Sequence, residues 1–383
     1  MSAEEDQSVS LLRSLLGDTL RQYPMYDTRF SLERWSAFDS DLDVVARSMK
    51  KALNTLSKVG ALDLNNMSIE CLSEKFISVA PSAKYFPGGI VGPDNEGNII
   101  CIQPLGRVRP RKLICTGRVS DLYRAVIIEC EACLALVRKE EEKRGRKLGV
   151  VIIFDVAGFS PTVFYLPAIK VYLNLLSLVQ NLFPDSLTKV YVINASWTIN
   201  GLFRMIKGVL PQVTVEKIEF LGTDWRSVLC SKLGERNIPE FWGGIMKSVS
   251  PTGYIRMGGD IPDKLSSSIT KLQVPDCDLM KITIKARSEA KIPVEVAQIG
   301  AVLSWYFTCS CGDIDFSVTH DGVEVWPMFR ISTEFFPEYG EVICSKTGLY
   351  EVVFSNKHGK VWNKVISYSL HVKPLDVTTE GLV

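Results

Sequence analysis

The pattern of apolar and polar positions divides the chain into three regimes. In the first hundred residues apolar side chains recur at three- and four-residue steps. Leu42, Val45, Met49, Leu53 and Leu56 follow the cluster Asp39-Ser40-Asp41, which is suited to capping a helix. A strand is predicted over 99–102 and a long helix over 122–143, ending in the mixed-charge run 138–144 that reads as a solvated helix end. From Val150 continuous apolar runs alternate with helical spacing: strand 150–154, helix about 162–182, strand 190–193, helix near 201–209, strand 218–221. That alternation predicts parallel strands crossed by helices. Prolines and glycines between Pro239 and Pro262 break it. Beyond them the period becomes two. Residues 281–285 alternate polar with apolar, 314–318 lead through Asp321-Gly322 into 323–326 as a hairpin, and strands are predicted over 350–354 and 361–372.

The expected architecture is therefore an α/β domain, mainly a parallel sheet with covering helices, preceded by a helical segment and followed by an antiparallel β-sandwich. The boundaries read as a helical segment over 1–70, the α/β domain over 71–246, a linker over 247–269, the sandwich over 270–375 and a tail over 376–383.

Composition narrows the function classes. Hydrophobic content of 46% and charged content of 23% in 383 residues suit folded domains. A net charge of +1 provides no global field for nucleic acid, and no nucleic-acid partner is expected. The local run Arg107-Val108-Arg109-Pro110-Arg111-Lys112 reads as a solvated loop or as a contact for anionic lipid headgroups. The acidic start, Met1 to Asp6, has no apolar core behind a basic flank and is not a secretory signal, so a cytoplasmic protein is expected. The uncharged run 296–312 contains Gln298, Gly300, Ser304, Thr308 and Ser310, and reads as buried strands rather than a membrane span. Ten cysteines in that compartment are expected to be reduced. Cys130-x-x-Cys133 and Cys309-x-Cys311 lack a second ligand pair at zinc spacing and read as buried structural residues, so no metal or other cofactor is expected.

The strand-to-helix junctions after Val150 offer hydroxyls and apolar groups but few ionisable side chains, which suggests a pocket before it suggests a reaction. The three histidines, His320, His358 and His371, all fall in the strand-rich region, where His320 and His358 read as exposed turn residues. Ser160 has no base visible in its own domain. Neither a phosphate-binding loop nor a dinucleotide fingerprint occurs. The segment around Leu202, Phe203, Ile206, Val209 and Leu210 is amphipathic, and either closes a pocket or covers a sheet. After it, Thr214 and Lys217 stand at a helix start. They read either as a phosphate site or as a plain cap with a solvated charge.

Several motifs together resemble one family. Asp155-x-x-Gly158-x-Ser160, Phe183-Pro184-Asp185, Val192-Ile193-Asn194-Ala195, Lys217-Ile218, Leu221-Gly222 and Phe241-Trp242-Gly243-Gly244 resemble the CRAL-TRIO lipid-binding domain of secretory-type phosphatidylinositol transfer proteins. Tyr254 to Pro262 resembles the junction to a GOLD β-sandwich in the tocopherol-associated, supernatant-protein-factor-like animal members. The resemblance implies a non-enzymatic lipid-binding and transfer protein that holds one lipid in an apolar pocket, gated by Leu202, Phe203, Ile206, Val209 and Leu210. It implies headgroup roles for Thr214, Lys217 and Asp185; the family's amino-terminal basic cluster is reduced here, so that its headgroup arginine is either replaced by Ser36 or served by Arg34.

Ser160 and Thr162 match hydroxyl positions used for phosphatidylcholine, but the tyrosines of choline-binding members fall on Ile90 and Cys101, which offer no aromatic face to a quaternary ammonium. Phosphatidylinositol or a neutral hydrophobic ligand is expected instead, with transient, peripheral contact at membranes and a protein partner through the sandwich. Two other classes remain: a trafficking adaptor that does not transfer lipid and acts through the GOLD-like domain, and an α/β hydrolase using Ser160.

Overall fold

A computed structural model describes residues 3–62, 64, 66–159, 165–196, 199–208, 210–267 and 278–374. The chain folds as two compact units. One comprises the residues up to Leu113 with Tyr123–Ile261, and the other Ile114–Leu122 with the chain from Pro262 onward.

The first unit opens with helices α1 (Ala3–Gln22), α2 (Arg29–Ser36), α3 (Leu42–Lys58) and α4 (Ile69–Ser78). The Asp41 carboxylate caps α3 by accepting from the amides of Asp43 and Val44, and Val45, Met49, Leu53 and Leu56 are buried, as their spacing predicts. Strands β1 (Gly89–Pro93) and β2 (Ile99–Gln103) precede α5 (Pro110–Ile114) and the long α6 (Val119–Arg144). Then β3 (Val150–Asp155), α7 (Leu166–Leu182), β4 (Leu187–Ile193), α8 (Ile199–Lys207), α9 (Gln212–Glu216), β5 (Ile218–Phe220) and α10 (Trp225–Leu233) alternate. The sheet order is β1-β2-β3-β4-β5; β1 is antiparallel to β2 and the other pairs are parallel.

The two faces of this sheet are not equivalent. Alternate side chains point to opposite faces, and one set, Ile100, Ile102, Val151, Ile153, Tyr191 and Ile193, packs against Trp225, Leu229 and Leu233 of α10 together with Ile238, Trp242 and Ile255 in a dry core. The opposite set, Ile99, Cys101, Val150, Val190 and Val192, is buried as well, but Ile152 and Phe154 stay half-buried. Towards the carboxyl ends Val156, Val192 and Ile199 cluster, with Leu105, Phe154, Phe159 and Ile218 packed against them half-buried. The unit runs on through the segment expected as linker. Ile255 enters the dry core, while Arg256 is buried, pairs with Glu129 at 2.8 Å and covers the Phe76 ring at 3.6 Å.

The second unit contains α11 (Asp263–Ser267), β6 (Met280–Ile284), β7 (Glu289–Val296), β8 (Val302–Cys309), β9 (Asp313–His320), β10 (Val323–Ser332), β11 (Glu338–Ile343), β12 (Gly348–Ser355) and β13 (Lys364–Lys373). The strands form two four-stranded sheets, β10-β9-β12-β7 and β11-β8-β13-β6, with every pairing antiparallel. Phe307 of one sheet meets Phe316 and Phe354 of the other at ring separations of 4.7 and 4.9 Å, the centre of an aromatic sandwich core. Asp321 and Gly322 both adopt positive φ, 50° and 74°, which closes the β9–β10 hairpin in the sense its strand twist favours.

Three local expectations change. Val361 and Trp362 lie in the loop before β13 rather than in a strand. His320 is buried and its ring lies 4.5 Å from that of Tyr350. Cys311 is exposed in the β8–β9 turn, unlike its neighbour Cys309.

Candidate functional site

The parallel strands carry different chemistry at their two ends. At the carboxyl end of β3, Asp155 is buried and its carboxylate is a hydrogen-bond hub. Oδ1 accepts from the Ala157 amide at 3.0 Å and from Asn194 Nδ2 at 2.8 Å, while Oδ2 accepts from the indole Nε1 of Trp242 at 3.0 Å. Gly158 closes the turn at φ 79°, a conformation that L side chains rarely adopt. Asp155, Asn194 and Trp242, far apart in sequence, thus converge in one polar clasp that joins the ends of β3 and β4 to the segment after α10. This end is structural, with all three of these donors accounted for.

The amino ends of the same strands hold ionic chemistry. Asp185 precedes β4 and Lys217 precedes β5; Lys217 Nζ lies 3.0 Å from Asp185 Oδ1 and donates to the Leu187 carbonyl at 2.5 Å. Lys147, just before β3, donates to Asp185 Oδ2 at 2.7 Å. Burial works to raise the Asp185 carboxyl, but the hydrogen bonds and charges of Lys147 and Lys217 outweigh it and hold the group below the usual carboxylate range. Two cations sharing one carboxylate leave net positive charge, suited to a phosphate.

Thr214 and Lys217 share one turn, in which the Lys217 amide donates to the Thr214 carbonyl at 3.2 Å. Pro211, not Thr214, occupies the cap of α9, and Lys217 stands at the opposite end of that helix from its free amides. Arg34 is buried; it pairs with Glu141, and its Nη2 donates to the Leu148 carbonyl at 2.5 Å. Its charge is therefore taken up internally, one residue along the chain from Lys147. Lys147 went unnoticed in the sequence because a lysine before a strand carries no pattern of its own.

Helix α7 buries Ala168, Ile169, Val171, Leu175 and Leu182, and leaves Leu173, Leu176, Leu178 and Val179 half-buried. Burial pushes the Tyr172 hydroxyl of this helix up to about 12, with the Cys130 thiol adding to the effect. Helix α8 lies over the β4–β5 edge, where Ile199 packs on Val156 and Val192, and Phe203 meets Phe220 edge-on at 5.0 Å. Leu210 is half-buried. The side chains of Leu202 and Ile206, and all of Val209, Ser160 and Thr162, lie outside the described residues. Ile90 and Cys101 are buried and face each other across β1 and β2.

The basic run over 107–112 turns inward in part. Arg109 pairs with Asp260 at 3.1 Å, Lys112 donates to the Ile261 carbonyl, and Arg107 covers the Phe241 ring. Among the described residues no helix is long and apolar enough to cross a membrane, and no group of three or more histidine, cysteine or acidic side chains is arranged to hold a metal ion.

Within a parallel sheet clasped by Asp155 and charged at its amino ends, residues 83–244 match the CRAL/TRIO domain family. This segment is similar to the Sec14 cytosolic factor of Schizosaccharomyces pombe, 29% identical over 168 residues covering 42% of this chain and 57% of that protein. The phosphatidylinositol/phosphatidylcholine transfer protein SFH9 of Arabidopsis thaliana is 24% identical over 264 residues, 66% of this chain and 43% of that protein. The chain thus spans only about half the length of these curated relatives. The solved structure of Sfh5 aligns over 66% of this chain and 94% of its own, with 15% identity and a TM-score of 0.47. The antiparallel sandwich that follows the domain is consistent with the GOLD resemblance.

Proposed function

We propose that this chain holds one lipid, phosphatidylinositol or a neutral hydrophobic molecule, and carries it between membranes without any catalytic step. The observation that carries the reading is the pairing of an apolar sheet face, on which Ile152 and Phe154 stay half-buried, with the Lys147–Asp185–Lys217 cluster at one end of its strands. Acyl chains on that face would leave water, a gain of about 0.8 kcal/mol per buried methylene. Lys217 and Thr214 would hold a phosphate, and Asp185 would accept from inositol hydroxyls. The naming of the Arabidopsis relative as a phosphatidylinositol/phosphatidylcholine transfer protein agrees with a phospholipid ligand. Buried, non-aromatic Ile90 and Cys101 favour phosphatidylinositol over phosphatidylcholine.

In this reading α8 is the gate. Its amphipathic segment rests on the edge strand β5 through Phe203 and Phe220, a contact small enough to open when the helix meets a membrane. The test is extraction and mass spectrometry of lipids that copurify with the chain. One lipid per chain is expected; if none copurifies and none can be loaded, the carrier reading fails.

A further inference from the structure

We propose that one end of the β-sandwich is a membrane-docking tip, in which Val361 and Trp362 enter the headgroup region of an anionic bilayer while Lys285, Arg287 and Lys360 meet its negative charge. Trp362 is 77% exposed and Val361 72% exposed, the two most exposed large apolar side chains among the described residues of the second unit, where the next, Ile299, stands at 66%. An indole held in water by a folded domain gives up burial that the aromatic core of the same sandwich offers, so its position calls for a partner.

The loop that presents it is built, not slack. Asn356 at its base is fully buried, and its Nδ2 donates to the carbonyls of Lys285 at 3.2 Å and Trp362 at 2.9 Å. The Arg287 amide donates to the carbonyls of Asn356 and Gly359 at 3.0 and 3.1 Å, and the Ala286 amide donates to Asn363 Oδ1 at 3.1 Å. Gly359 passes so close to the Asn356 amide that any side chain there would collide with it. The 285–288 turn and the 356–363 loop are therefore zipped together, and Trp362 is displayed in a fixed place. Little ordering entropy remains to be lost when it docks.

Charge decides what docks. The carboxylates at this end are already taken: Glu289 by Lys357 at 2.5 Å, Asp313 by His358 and Lys364 at 3.0 and 3.4 Å, and Asp315 by Arg330 and His358 at 2.8 and 3.1 Å. Lys285, Arg287 and Lys360 have no ion-pair partner among the described residues. A two-residue apolar protrusion ringed by uncompensated cations fits an anionic lipid surface, where tryptophan settles at headgroup depth and cations gain from the surface potential. A protein hot spot would need a broader apolar surround that excludes water, which a narrow tip does not supply.

The inference extends the carrier reading but is read out separately from lipid loading. The full chain is sedimented with phosphatidylcholine vesicles with and without phosphatidylserine. Partitioning that depends on phosphatidylserine is expected, reduced about tenfold by the pair Val361→Ser and Trp362→Ala, and reduced likewise by charge reversal at Lys285, Arg287 and Lys360. The lipid that copurifies should be unchanged in all of these. As a second readout that preserves the loop, brominated lipids should quench part of the tryptophan fluorescence of the wild-type chain, and Trp362→Phe should remove that part. Equal partitioning of variants and wild type, no wild-type partitioning, or no quenching traceable to Trp362 would each overturn the proposal; the first would turn attention to a protein partner at the same tip.

Discussion

The ammonium of Lys217 lies 3.0 Å from Asp185 Oδ1, across 32 residues of sequence, and Lys147 closes the other side of the same carboxylate at 2.7 Å. On the proposed reading, Lys217→Ala and Thr214→Asp lower phosphoinositide loading about tenfold while leaving neutral hydrophobic ligands alone. Competitive loading from mixed vesicles, followed by mass spectrometry, measures both at once. Equal loss of both ligand classes would point to a packing defect and count against a headgroup site.

Asp185 makes a pH prediction. Its folded carboxyl is held below the ordinary range, so its contribution to stability is present above the unfolded value near 3.9 and is lost as pH falls through the lower folded value. Asp185→Asn lacks that contribution at every pH. The gap in melting temperature between wild type and Asp185→Asn should therefore be open at neutral pH and close below about pH 4. A gap that is constant with pH would exclude the ion pair as its source.

Asp155 is expected to matter for stability rather than for ligand choice. Asp155→Ala strips the acceptor from the buried Trp242 indole, an orphan costing about 1–3 kcal/mol, and from the half-buried Ala157 amide and the exposed Asn194 side chain, which water can partly serve. Denaturant unfolding should show a large loss. Trp242→Phe, which removes the donor instead, leaves an unpaired carboxylate oxygen and should be destabilising as well.

Phe220→Ala removes the aromatic contact that seats α8 on the edge strand. Such contacts are worth about 0.5–1.5 kcal/mol beyond their area, so the open state should gain roughly three- to tenfold in population. Faster lipid exchange between vesicles, with the same lipid bound, is the expected result. Unchanged exchange would remove α8 from the role of gate.

In the second unit, Glu338 is fully enclosed, with Ser120 Oγ 2.7 Å from its Oε1 and no partner at Oε2. Burial pushes this carboxyl up to about 8, against the opposing influence of Arg118. Between the unfolded value near 4.3 and about 8 the folded chain binds the extra proton, so stability falls as pH rises through that window. Glu338→Gln should flatten this fall and stabilise the chain at pH 8 by on the order of 1–3 kcal/mol. Thermal melts of both proteins from pH 5 to 9 test it.

What sequence alone determined here was whatever is local or periodic. Helical spacing at Leu42 to Leu56, the strand–helix alternation after Val150, and the Asp321-Gly322 turn all express constraints that act within a few residues. For that reason the parallel sheet and the antiparallel sandwich were both legible. The Thr214–Lys217 spacing was visible because both residues share one turn.

Tertiary structure alone decided the partners. Lys147 joins Asp185 and Lys217 only because β3, β4 and β5 lie side by side with their amino ends together. Arg34 is paired with Glu141 by packing across 107 residues, a commitment no window of sequence contains. Apolar pattern made Val361 and Trp362 look like the start of a strand. Buried Asn356 and the crowding at Gly359 draw that segment into a loop and leave its tryptophan in water. Periodicity records which face a residue takes, whereas charge pairing and exposure depend on what the rest of the chain brings to that face.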